Sequence, residues 1–140
     1  MRAGYFMQLP QPVDVLLRKA KADEFAVEKL APDPDCADEI IGFHAQQAVD
    51  KLIKEVLAHR SVPFPRIHDL TELVDLLREN KIAFPEQLEE TDRLTPFATV
   101  FRYAELLTQP LHDFDRSWAL DCVRKVRAWA ESMLRAPETG

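Results

Sequence analysis

The chain has 140 residues, 46% of them hydrophobic, with 18 Lys and Arg against 24 Asp and Glu and a net charge of −6. That length and apolar share suit one domain around one core, and the acidic balance excludes a general nucleic-acid binder, though not a local basic cleft or a basic partner. Three glycines and ten prolines, with no hairpin dipeptide and no long alternating run, argue against a sheet.

Residues 1–12 contain Pro10 and Pro12 and no continuous apolar stretch, so they do not read as a secretory signal. Pro12 opens a first helix, about Val13 to Ala31, whose stripe is Val13, Leu16, Leu17, Ala20, Val27 and Leu30. Pro32-Asp33-Pro34-Asp35 stops it. A second helix runs from about Cys36 to Arg60. Asp38 and Glu39 suit its positive end, and Ile41, Ala45, Ala48, Leu52 and Val56 share one face. Ile40, Phe43 and Gln47 extend a neighbouring stripe, so this helix is expected to be buried over a wide arc.

Ser61 to Ile67, with Pro63 and Pro65, reads as a loop. A shorter helix follows, about Asp69 to Asn80, led by Leu70, Leu73, Val74, Leu76 and Leu77. Pro85 starts a segment through Leu94, and Thr95-Pro96 reads as an N-cap with proline at the first helical position, so a helix begins or kinks there. Phe97, Val100, Phe101, Ala104 and Leu107 carry its apolar stripe to Gln109-Pro110. Asp113 or Asp115 can cap the last helix, about Arg116 to Arg135, with the stripe Ala119, Cys122, Val123, Val126, Trp129, Ala130, Met133 and Leu134. The expected fold is all-α: an antiparallel up-and-down four-helix bundle with an additional short helix, forming one domain over 1–140 with its core at about 13–135.

No run approaches 18 apolar residues, so nothing is expected to span a membrane, and a cytoplasmic location with Cys36 and Cys122 as reduced thiols is the expectation. The sequence has no HExxH, GxGxxG or Walker loop, and no histidine follows a glutamate by three positions. Neither a metal nor another cofactor is expected.

The polar residues inside these apolar stretches are the candidates for function. Gln47 and Lys51 are neighbours at i, i+4, Gln46 stands beside them, and His44 joins the same strip three residues earlier. Such a strip suits a phosphate and a base edge. Its plainer reading is a polar border between core and solvent, with Asp50–Lys54 a surface pair worth about 0.3–0.5 kcal/mol. His68, at a loop-to-helix boundary, is either a backbone-bonding cap or a proton-transfer group. Arg102 and Tyr103 interrupt an apolar run. The arginine either snorkels, pairs with an acid, or offers a planar donor to phosphate.

Taken in order, Ala20-Lys21-Ala22-Asp23-Glu24-Phe25, the block Phe43-His44-Ala45-Gln46-Gln47-Ala48-Val49-Asp50-Lys51-Leu52-Ile53-Lys54, His68-Asp69-Leu70, Leu94-Thr95 and Arg102-Tyr103 resemble the HEPN domain family of small helical prokaryotic proteins. The resemblance spans about residues 13–135. It implies the helical bundle, a homodimer, and a place in a toxin–antitoxin-like pair with a nucleotidyltransferase. It also implies a cleft for a nucleotide or RNA phosphate, to which Gln46, Gln47, Lys51, His68, Arg102 and Tyr103 are matched. Ribonuclease members carry Arg, four to six residues, then His, and that spacing is absent here. Asp50 replaces the usual glutamate and Ala104 a frequent proline. Two other readings are a divergent metal-independent ribonuclease using His68 and Arg102, and a non-catalytic module that dimerises through an apolar strip including Phe64, Phe114 or Trp118.

Overall fold

The computed structural model describes residues 7–8, 13–67, 69–97 and 114–135. The described residues hold four α-helices: α1 (Val13–Leu30), α2 (Asp38–His59), α3 (Leu70–Glu79) and α4 (Arg116–Arg135). A 3₁₀ helix spans Glu86–Phe97. The fold is an all-α helical bundle, as the periodicity predicts. Its strands are β1 (Met7–Gln8) and β2 (Phe64–Pro65), one short antiparallel pair with Met7 opposite Pro65 and Gln8 opposite Phe64.

α2 is the axis of the bundle. Fifteen of its 22 residues are buried, so it presents core on several sides rather than along one stripe. Its Ile41, Ala45, Val49, Ile53, Val56 and Leu57 are inaccessible to solvent. α1 brings Leu16, Ala20 and Val27 to it, and α4 brings Ala119, Val123, Val126 and Ala130. Gly42 lets the 3₁₀ helix approach, since a Cβ there would lie 2.6 Å from the Phe97 ring.

The helix directions follow from three contacts. Arg127 and Arg124 of α4 meet Glu24 and Glu28 of α1 in reversed order, each at 2.7 Å, so α1 and α4 are antiparallel. Arg116, which opens α4, reaches Asp38, which opens α2, at 2.7 Å, so those two helices start at the same end. The same guanidinium donates to the carbonyls of Ala31 and Asp33, each at 2.9 Å, and to that of Cys36. It thereby satisfies carbonyls along the turn that follows α1.

Helix ends are set locally. Asp69 caps α3 by accepting from the Thr71 amide at 2.9 Å, and Asp115 caps α4 through the Trp118 amide at 3.1 Å. α2 and α3 both close with the six-to-one and five-to-two backbone bonds of a Schellman motif, Val62 to Leu57 and Ser61 to Ala58 in one, Ile82 to Leu77 and Lys81 to Arg78 in the other. The left-handed positions are Ser61 (φ 58) and Lys81 (φ 60) rather than glycine, at a cost of about 1 kcal/mol each.

Two expectations need correction. Of the two readings of Thr95-Pro96, a helix that begins or a longer one that kinks, the first is overturned, because both residues lie within the 3₁₀ helix, and the Thr95 hydroxyl accepts from the Leu70 amide at 3.2 Å. The stretch expected to continue as a helix, from residue 98 to Gln109, lies outside the described residues. Phe64 belongs to no exposed strip, being 1% exposed in the core. Trp118 and Phe114 are half-buried, the first under Arg93 at 4.6 Å and the second against Phe97 at 5.3 Å. The exposed large apolar residue among those described is Phe25.

Candidate functional site

The α1–α2 seam gathers a chain of polar side chains around Asp23. Its Oδ1 accepts from His44 Nδ1 at 3.0 Å and its Oδ2 from Lys51 Nζ at 2.9 Å. Lys51 Nζ also donates to Gln47 Oε1 at 3.0 Å, and Gln47 Nε2 donates to Gln46 Oε1 at 2.8 Å. His44, Gln47 and Lys51 stand at i, i+3 and i+7, so one face of α2 delivers all three to the carboxylate on α1. The chain runs from the part-open His44, 30% exposed, through Lys51 and Asp23 at 19% and 15%, to a fully buried Gln46.

The charges order this cluster. Burial pushes the Asp23 carboxyl up, but hydrogen bonds from His44 and Lys51 and the charge of the ammonium outweigh it and hold the group below its ordinary value. An ionised carboxylate only accepts, so His44 must carry its proton on Nδ1, leaving Nε2 turned away from Asp23. An ammonium has three donors. Asp23 and Gln47 use two on Lys51, and no described residue takes the third.

One turn along α2, Lys54 and Asp50 meet at 3.1 Å with exposures of 7% and 2%. This pair is buried, which corrects the reading of it as a surface pair. Lys54 also donates to the Ile67 carbonyl at 2.8 Å and lies 5.7 Å from the centre of the Phe64 ring. It therefore anchors the loop after α2, while Thr95 holds the Leu70 amide.

Of the residues matched to a cleft, the structure brings together Gln46, Gln47 and Lys51. His68, Arg102 and Tyr103 lie outside the described residues. Sequence reading missed Asp23 as the hub and His44 as its partner. The available signal was helical spacing, which places His44 on the strip of Gln47 and Lys51. Nothing in the spacing joins Asp23 to residues 21 and 28 positions later.

Three other features lie outside this cluster. Glu55 is inaccessible to solvent and neither carboxylate oxygen has a hydrogen-bond partner among the described residues. Burial, reinforced by Glu131 and opposed by Lys21, pushes it up to about 7. On the α1–α4 side, an open groove of about 250 Å³ is lined by Lys21, Glu24, Phe25, Glu28 and Arg127. Arg127 is already held by Glu24 at 2.7 Å and Glu131 at 3.4 Å. The Cys122 thiol is buried and pushed up to about 12, mainly by burial, so it is not a nucleophile at neutral pH. Cys36 and Cys122 are both free thiols.

The HEPN domain family matches residues 13–133, and the chain belongs to that family. No curated protein and no solved structure matches it. Among the described residues, no helix is long and apolar enough to cross a membrane.

Proposed function

We propose that this HEPN-domain protein binds the phosphate of a nucleotide or RNA, as a component of a toxin–antitoxin-like pair with a nucleotidyltransferase. The observation that supports it best is Lys51. Its ammonium is fixed at the α1–α2 seam by Asp23 and Gln47 and keeps one donor unused by described residues. A fixed ammonium with a spare N–H is a donor that a phosphate oxygen can accept from.

In this reading Lys51 and Arg102 hold the phosphate and Gln47 reaches the base or sugar. Gln46 is fully buried and acts by aligning the Gln47 amide. His68 and Tyr103 complete the cleft on the strength of the family resemblance. Homodimerisation and the nucleotidyltransferase partner rest on that resemblance too.

The test is calorimetric titration of nucleoside monophosphates and short RNA against wild type, Lys51→Met and Arg102→Ala, with melting curves alongside. Each variant is expected to bind at least about tenfold more weakly, the loss of one charge-assisted contact. Arg102→Ala is expected to melt near wild type. Unchanged binding with a large drop in melting temperature makes these residues structural. Cleavage of RNA in EDTA by wild type alone moves the reading to a divergent ribonuclease.

A further inference from the structure

We infer that the last turn of α4, residues 131–135, is a flap over the buried Glu55 carboxyl, closed while that carboxyl carries a proton and released when it ionises.

Glu55 stands on α2, the axis of the bundle, inaccessible to solvent, and neither of its oxygens has a hydrogen-bond partner among the described residues. A neutral carboxyl tolerates such a place. A carboxylate there is cut off from both water and donors. α2 and α4 start level, where Asp38 meets Arg116, and their equal rise brings Glu131 to about the height of Glu55. The reversed pairing of Glu28 with Arg124 and Glu24 with Arg127, continued by one turn, brings Lys21 of α1 to that height as well. Both charges reach the buried group: Glu131 opposes its ionisation and Lys21 favours it. On α2 itself Lys51 and His59 stand one turn to either side, and Lys51 is engaged by Asp23 and Gln47. Among the described residues, no charge on α3 or the 3₁₀ helix bears on Glu55.

The end of α4 is the wall of this site with the fewest ties. Its last buried residue is Ala130, and beyond it the partly buried Met133 packs against the core. Arg127 ties α4 to Glu24 of α1 at 2.7 Å, whereas Glu131 pairs with Arg127 of its own helix at 3.4 Å. Among the described residues, no side chain from 131 to 135 bonds to another helix. A helix end held so lightly opens at low cost. It also carries the one charge that repels an ionised Glu55. Its release admits water to the carboxylate and lets the exposed Lys21 approach. The closed state holds Glu55 at about 7 against an ordinary 4.5, so release grows as pH rises through about 7.

The test is residue-resolved amide hydrogen exchange by NMR on the whole chain at pH 6 and pH 8, corrected for the intrinsic rate at each pH. Protection of the amides of residues 131–135 is expected to fall roughly tenfold between the two, the linkage of a carboxyl that titrates near 7 when closed and near 4.5 when open. These amides are expected to be less protected than those of Ile53 and Val126, which lie in the core. Protection at 131–135 that does not change with pH overturns the flap. So does protection equal to that of Ile53 and Val126, which makes the opening global. Glu55→Gln is expected to keep the protection of residues 131–135 the same at both pH values, and a fall that survives in it overturns the assignment to Glu55. Glu131→Gln, at a part-exposed side chain, gives an independent reading should the first variant not fold. Its fall is expected to be smaller than that of wild type, and an undiminished fall overturns the inference.

Discussion

Lys51 and Lys54 lie three positions apart on α2, and each meets an aspartate, at 2.9 and 3.1 Å. Their surroundings separate them. Lys54 is closed in with Asp50, the Ile67 carbonyl and the Phe64 ring, while Lys51 sits at a part-open seam with Asp23 and a glutamine. The buried pair, with Lys54 at 7% exposure against 19% for Lys51, holds a loop in place. The seam pair keeps a donor and positions a histidine. The side-chain chemistry is identical, so the shell around each ammonium decides which lysine builds the fold and which can meet another molecule.

The contrast can be broken most forcefully at Lys54. Lys54→Met removes the buried ammonium that meets Asp50 and the Ile67 carbonyl and is expected to cost about 3–5 kcal/mol in urea unfolding.

Glu55 sharpens the contrast because it is a buried charge on the same helix with no hydrogen-bond partner among the described residues. Its folded value is raised to about 7 from 4.5. The folded state therefore holds a proton that the unfolded chain has released. Stability from this group is present below the unfolded value and is lost as pH rises through about 7. Glu55→Gln is expected to stabilise the protein by roughly 3 kcal/mol at pH 8 and to make little difference at pH 4, as read from unfolding curves at the two pH values.

Asp23 has the opposite sign. Its folded value is lowered, so its stabilisation is full above the ordinary carboxylate range and disappears as pH falls through the folded value. Asp23→Asn is expected to cost about 1–2 kcal/mol at pH 7 and to match wild type in strong acid. The smallest effect belongs to Lys51→Met, about 1 kcal/mol, because Asp23 keeps His44 and some water. A loss at Lys51 as large as that at Lys54 would abolish the distinction between the two lysines.

Much of the scaffold was legible in the residues. Apolar periodicity places α1, α2, α3 and α4 within two residues of their observed ends, and one of the two aspartates expected to cap α4, Asp115, does so. Position in three dimensions was less legible. Asp50 and Lys54 look like a surface pair because charge at i, i+4 usually is one, and only the packing of the β2 loop over α2 shows otherwise. Asp23 is one acid among several on α1 until α2 folds back beside it. Thr95-Pro96 carries a helix-start pattern that the 3₁₀ helix runs through, and the Thr95 hydroxyl accepts from the Leu70 amide. Local rules see neighbours along the chain. The seam and the buried pair are made by neighbours across it.

Arg116 has a consequence for the life of the chain. Its guanidinium fastens the turn between α1 and α2 from positions 78 to 85 residues later. Synthesis delivers the N-terminal segments first. The first turn of the bundle to leave the ribosome is therefore among the last to be locked, and a nascent chain halted before α4 presents that turn unfastened to any protease in its surroundings.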